Sequence, residues 1–182
     1  MFRSSRLALT ALFAALAAAL GFAGALVPNV ELITLAVFLG GVATGVGAGI
    51  AIGVIAEFVF STLNPLGPAL PFVFAAQLVG MGIAGAAGGI LAPHLAGLAS
   101  AGRSLLLGVT GFLVTLVFDG LTNLALGIHM GPILPTLIGG LAFSLIHLGA
   151  NTVVFAVLGT GGLRVLESFG LLGRSGESHA QG

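Results

Sequence analysis

Charged residues are so sparse in this 182-residue chain that long stretches contain none. No charge falls between Arg6 and Glu31, and the interval from Glu57 to Arg103 is also uncharged and mostly apolar. A transmembrane helix needs about 20 apolar residues to cross the hydrocarbon core of a bilayer. The chain has only five basic and five acidic residues and no cysteine. This composition excludes an ordinary soluble enzyme, a disordered chain, a disulfide scaffold and a nucleic-acid binder, and it predicts an integral membrane protein.

The apolar stretches predict an all-α bundle of six transmembrane helices. A glycine-rich segment over 40–49 divides a stretch that is too long for one span and predicts a tight reversal. The Asn-Pro-Leu-Gly-Pro segment over 64–68 predicts a loop. One transmembrane domain, 1–160, is therefore followed by a short interfacial helix and flexible tail over 161–182. The predicted spans are 7–27, 30–44, 46–63, 70–92, 104–127 and 136–158.

The distribution of arginine provides an independent check on the number of spans. With six spans, all five arginines fall on the same side of the membrane as both termini. Basic residues are enriched in cytoplasmic loops, so we expect both termini to be cytoplasmic. Merging the second and third spans would place Arg103, Arg164 and Arg174 outside.

Six polar or ionisable side chains lie within the third to sixth predicted spans. An ionisable group at the centre of a span costs about 2.5–3.5 kcal/mol on insertion scales, which makes each one a functional candidate. Residues four apart share one face of a helix, and this spacing occurs once in the fifth span and once in the sixth. The candidate substrate-binding residues are Glu57, Gln77, Asp119, Asn123, His147 and Asn151.

The depths of these residues are compatible with a cavity that opens outward. At about 1.5 Å per residue, Glu57, Gln77 and Asn123 lie roughly 7–10 Å below the outer helix ends. Asp119 and His147 lie roughly 14–17 Å down. Carboxylates, amides and an imidazole would suit a small polar ligand. In the alternative interpretation, Asp119 and His147 pair with each other and hold two helices together, and the amides bond neighbouring backbone.

The first predicted helix carries a stripe of alanines. Ala11, Ala15 and Ala19 recur at intervals of four, with Ala14 and Ala18 beside them. Small residues at this spacing allow a second helix to approach closely, whether it belongs to this chain or to another protein. The histidines lack the spacing of a metal site, and no nucleotide-binding motif is recognisable, so we predict no metal, no cofactor and no catalytic residue.

Together, the length, the six spans, the alanine stripe and the polar residues of the later helices resemble the substrate-binding (S) subunits of energy-coupling factor (ECF) transporters. The resemblance covers about residues 5–160. It implies a non-enzymatic subunit that captures a vitamin or related micronutrient at the plasma membrane of a prokaryote. Such a subunit docks through helix one on a membrane scaffold (T) subunit that carries two ATPases. By spacing, the docking motif corresponds to Ala11, Ala14, Ala15, Ala18 and Ala19.

The resemblance also implies that the six polar residues bind the ligand and that the loop over 64–71 acts as a lid. Two other classes of protein fit the same residues. A stand-alone oligomeric carrier or channel would move a small molecule without partners, whereas a scaffold or assembly protein would bind no ligand. The ligand itself stays open among a heterocycle, a cationic molecule and a corrinoid-like molecule.

Single cysteines introduced into this cysteine-free chain test the topology. We expect cysteines at Asn29, Gly67 and Gly131 to react with a membrane-impermeant maleimide added to intact cells. Cysteines at Ser100 and Ser178 should react only after permeabilisation, because they lie on the arginine side. Labelling of Ser100→Cys in intact cells would contradict the six-span topology.

Overall fold

A computed structural model describes residues 3–24, 31–64 and 67–172. These residues are helical apart from short connections, and no strand occurs among them. The all-α fold class is therefore confirmed for the described part of the chain. The elements are α1 (Arg3–Gly24), α2 (Ile33–Thr44), α3 (Val46–Thr62), α4 (Pro71–Ala96), α5 (Ser100–Met130), α6 (Ile133–Val154), a π-helical segment (Phe155–Gly159) and α7 (Thr160–Ser168).

Consecutive helices run antiparallel through the bundle. One hydrogen bond in each of three helix pairs illustrates this. Arg6 of α1 bonds to Thr44 of α2, and Ser61 of α3 bonds to Gln77 of α4. Asp119 of α5 bonds to His147 of α6. The core lies where α2 meets α4 and the π-helical segment. There the fully buried rings of Phe38 and Phe155 have centroids 5.4 Å apart.

Within the described residues, four helices are long and apolar enough to cross a membrane, with bounds 4–24, 71–96, 100–130 and 133–168. The remaining two, α2 with 12 residues and α3 with 17 residues, are apolar but shorter. At 1.5 Å per residue, α2 is about 18 Å long, less than the thickness of the hydrocarbon core. The predicted reversal between the second and third spans, with a short second helix, is confirmed.

Glycine allows this reversal and the close packing beside it. The chain turns at Gly45, whose φ of 87° lies in the left-handed region that favours glycine. A Cβ atom at Gly41 or Gly49 would collide with the carbonyl oxygen of Gly85, and a Cβ atom at Gly85 would collide with that of Gly49. Backbone therefore packs directly on backbone where α2, α3 and α4 meet, as small residues permit in membrane helices.

Two arginine side chains bond to backbone carbonyls at the ends of α2 and α4, which lie at the same end of the bundle. Nη2 of Arg6 donates to the carbonyl of Thr44 at 2.6 Å, and Nε of Arg103 donates to the carbonyl of Leu95 at 3.0 Å. The last carbonyls of a helix have no partner within it, and the helix dipole favours a cation there. Arg103 also forms an ion pair with Glu167 at 2.6 Å.

The helix that begins at Ile133 does not end near 158. It continues through the π-helical segment into α7, so one helix runs over 133–168. At the π-helical segment, the carbonyl of Ala156 accepts hydrogen bonds from the hydroxyls of Ser104 and Thr160, at 2.9 and 3.0 Å.

The end of this helix differs from the predicted separate element. Leu163 and Leu166 bury their side chains against the bundle, and the short helix expected within 161–182 is instead continuous with α6. Its position at a membrane interface stays a prediction. The tail over 173–182 and the loop residue Asn29 lie outside the described residues.

Glycine packing gives a stability test in detergent. We expect Gly85→Ala to lower the midpoint of thermal unfolding, because its Cβ would collide with the Gly49 carbonyl oxygen and force α3 and α4 apart. Gly82→Ala on the same helix is the matched control, since its Cβ would meet Val54 Cγ2 at an ordinary 3.5 Å. Equal midpoints for the two variants would show that the close approach does not stabilise the bundle.

Candidate functional site

Glu57 and Gln77 lie together in one buried polar group, joined by Ser61. The Ser61 hydroxyl lies 2.5 Å from Oε1 of Glu57 and 3.1 Å from Oε1 of Gln77. A hydroxyl has one hydrogen, so it donates to one of these oxygens at a time. Ser61 follows Glu57 by four residues and shares its face of α3, while antiparallel α4 supplies Gln77. Glu57 is only 1% exposed.

Asp119, His147 and Asn151 form a second group between α5 and α6. Nδ1 of His147 lies 2.9 Å from Oδ1 of Asp119, and Nε2 lies 2.9 Å from Nδ2 of Asn151. Oε2 of Glu31, just before α2, lies 3.5 Å from the same Nε2. The three residues of α5 and α6 are 5%, 2% and 0% exposed in chain order. The network therefore links two long helices to the start of a third.

The two ring nitrogens of His147 support two protonation states. A neutral ring donates Nδ1–H to Asp119 and accepts at Nε2 from the amide of Asn151. A charged ring donates from both nitrogens, and its Nε2–H then has two acceptors within reach: Oε2 of Glu31 and, once the amide is turned, Oδ1 of Asn151. The pairing of Asp119 with His147 is the contact expected by the interpretation in which the two residues hold helices together. The same contact also places two titratable side chains, Asp119 and His147, inside the bundle.

Asn123 belongs to neither group by direct contact. Its Nδ2 donates to the hydroxyl of Ser144 at 3.1 Å, which joins α5 to α6 one turn from Asp119. Glu31 lies between the two groups: its Oε2 is 3.5 Å from Nε2 of His147, and it is near enough to Glu57 for the two acidic groups to repel each other. All six predicted residues thus lie in one half of the bundle, but their direct contacts divide them among separate groups.

Sequence reasoning missed Glu31, Ser61 and Ser144 as members of these groups. Ser61 carried a usable signal, because it lies four residues after Glu57 on a predicted helix. Ser144 likewise precedes His147 by three residues. Glu31 carried none, because it borders a loop and its approach to His147 depends on how α2 packs beside the long helix over 133–168.

Two oxygens of the second group are buried without a hydrogen-bond partner among the described residues. These are Oδ2 of Asp119 and Oδ1 of Asn151. Most buried polar atoms in proteins are hydrogen-bonded, and leaving one unpaired costs about 1–3 kcal/mol. The Asn151 amide presents Nδ2 to a neutral His147, whereas a charged ring would turn the amide and pair its Oδ1. Both oxygens of the Asp119 carboxylate accept in either state, so Oδ2 is unpaired in both. Asp119 therefore offers a free acceptor inside the bundle.

Two open grooves lie on the surface of the bundle, away from these groups. One, of about 640 Å³, lies between α5 and the helix over 133–168 and includes Leu105 and Phe112 in its wall. The other, of about 350 Å³, lies between α3 and α4 and includes Val54 and Val79. Both are mostly apolar, and neither is lined by any of the six predicted residues.

The structure divides the five predicted docking alanines between two environments. Ala14 and Ala18 are 4% and 6% exposed and pack inside the bundle, so they are not accessible to a partner. Ala11, Ala15 and Ala19 lie on the exposed side of α1. A partner helix would therefore meet only these three.

Comparison of the chain with protein-family models, with curated proteins and with solved structures gives no match. The resemblance seen in the sequence thus remains an expectation. A function has to follow from the side chains and their contacts.

Coupling between Asp119 and His147 can be measured by unfolding in detergent. We expect His147→Ala to destabilise the protein by about 3–5 kcal/mol if Asp119 stays ionised, since it leaves a buried charge unpaired. Asp119→Asn should cost less, because its amide oxygen still accepts from Nδ1–H. The double variant should depart from additivity by about 0.5–3 kcal/mol. Additive losses, with Thr122→Val as an unaffected control on α5, would show that the pair is not coupled.

Proposed function

We propose that this protein is the membrane-embedded substrate-capture subunit of an importer of the energy-coupling factor type, for a vitamin or related micronutrient. The observation that carries the proposal is the buried network of Asp119, His147 and Asn151 with unsatisfied acceptor oxygens. Burying polar groups costs stability unless they are bonded, and ionisable groups inside membrane proteins commonly mark a substrate site. A bound ligand would satisfy these oxygens.

The position of Glu31 supports access from one end of the bundle. Its side chain is 35% exposed and contacts the buried His147, so it joins the network to the surface. Arg6 and Arg103 bind helix ends at the opposite end of the bundle. If that arginine end is cytoplasmic, as the positive-inside rule predicts, the end with Glu31 faces the outside, where an importer meets its substrate.

The exposed side of α1 supports a docked partner. Ala11, Ala15 and Ala19 offer a narrow surface on which a helix of a scaffold subunit can approach closely. The sequence has no nucleotide-binding motif, so energy for uptake would come from that scaffold and its two ATPases.

Reconstitution in liposomes tests the proposal against its alternatives. The isolated protein should bind its small molecule tightly but give no flux, and uptake should require the scaffold, the ATPases and ATP. Flux by the protein alone would identify a stand-alone carrier or channel. Neither binding nor flux would identify an assembly protein.

Docking through α1 can be separated from internal packing with Ala15→Trp. The isolated variant should fold and bind ligand normally, because Ala15 is exposed and lies away from the polar groups. Co-purification with the scaffold and ATP-driven uptake should fall at least tenfold, since bulk on this surface keeps two backbones apart. Leu145→Trp, at a position of α6 that is 63% exposed, is the matched control. Loss of ligand binding with an intact complex would rule out this docking surface.

A further inference from the structure

We infer that the ligand of this site is a small organic cation bearing N–H donors, held by the carboxylate of Asp119. The inference rests on the proposed capture function and narrows its substrate class. Three kinds of observation carry it: the charges of the polar half of the bundle, the unpaired oxygens inside it, and the absence of a metal-binding arrangement in the described residues.

Acidic groups dominate the polar half of the bundle. Glu31, Glu57 and Asp119 contribute three carboxylates, and His147 is the imidazole that contacts two of them. The other described imidazole in this half is His129, which is exposed in the last turn of α5. The arginines that could balance the carboxylates, Arg6 and Arg103, are bonded to helix ends at the opposite end. An anionic ligand 4 Å from a carboxylate would be repelled by about 4 kcal/mol at the effective dielectric of a protein interior. A cation would be attracted by a similar amount.

The free oxygen of Asp119 indicates where the cation binds. Asp119 is 5% exposed, its Oδ1 faces His147, and its Oδ2 has no partner among the described residues. An ionised carboxylate only accepts hydrogen bonds, so its missing partner is a donor. Asn151 contacts the other nitrogen of the same imidazole ring, and with a neutral ring its Oδ1 is a second unpaired acceptor beside Asp119.

The geometry favours an organic cation over a metal ion. Within residues 3–24, 31–64 and 67–172, no three histidine or acidic side chains are grouped to hold a metal ion. A protonated amine or amidine supplies N–H donors with a positive charge, and hydrogen bonds of this kind to a carboxylate are roughly twice as strong as neutral ones. Such a ligand could donate hydrogen bonds to the free carboxylate oxygen of Asp119 and to the amide oxygen of Asn151 beside it.

The test uses the full chain in nanodiscs, treated with EDTA, and a deproteinised cell extract separated by ion exchange into cationic, neutral and anionic pools. Native mass spectrometry and the midpoint of thermal unfolding report binding. We expect the cationic pool alone to give a bound mass and to raise the midpoint by several degrees. Asp119→Asn should reduce binding at least tenfold while keeping the contact to His147. Thr122→Val, also on α5 and bonded to its own backbone, should bind normally.

Glu31→Gln provides a second variant that is expected to fold, because Glu31 is partly exposed. It should also weaken binding of the cationic pool, by less than Asp119→Asn. Binding from the neutral or anionic pool alone would overturn the inference and leave the capture function standing. Cation binding that both folded variants retain in full would also overturn it. Binding from no pool would reject the capture function itself.

Discussion

Hydrocarbon offers no hydrogen bonds, so every polar group of a chain in this environment must find its partner within the protein. The structure meets this constraint at each level. Backbone groups are bonded within helices, and threonine hydroxyls such as those of Thr110 and Thr152 donate to carbonyls one turn earlier. Where the π-helical segment changes the backbone hydrogen-bond pattern of the helix, the hydroxyl of Ser104 on α5 donates to the carbonyl of Ala156. Three buried side-chain oxygens depart from this pattern because the described residues supply no partner for them: Oδ2 of Asp119, Oδ1 of Asn151 and Oγ1 of Thr115.

Close packing and polar bonding hold different parts of the bundle together. Glycines allow α2, α3 and α4 to touch backbone to backbone, a contact that leaves little room for movement between them. The helices α5 and α6 are joined through side chains at the two bonds Asn123–Ser144 and Asp119–His147. Side-chain bonds of this kind can be exchanged for bonds to a ligand, whereas backbone contacts cannot.

Sequence patterns predicted most of the fold but only part of the candidate site. Runs without charge identified the helices, and the glycines near 45 identified the reversal, because both signals are local. The continuation of α6 past 158 was missed, since one of the two hydroxyl bonds to the Ala156 carbonyl comes from Ser104 on another helix. The four-residue spacing of His147 and Asn151 predicted a shared face. It did not predict the approach of Glu31 or the burial of Ala14 and Ala18, because both depend on packing between helices.

The order of groups along the bundle favours capture over conduction. From the end with Glu31, the polar residues continue inward to Asn151, which is fully buried. One turn further along the helix lies Phe155, whose ring packs on Phe38, and both are fully buried. Toward the arginine end, the buried polar side chains of α5 beyond Asp119 are the hydroxyls of Thr115 and Thr110, and none is ionisable. A charged molecule that passes Asp119 would therefore lose its ionic bonds there. Transport past this point would need the bundle itself to move, which is the step that a scaffold driven by ATPases would supply.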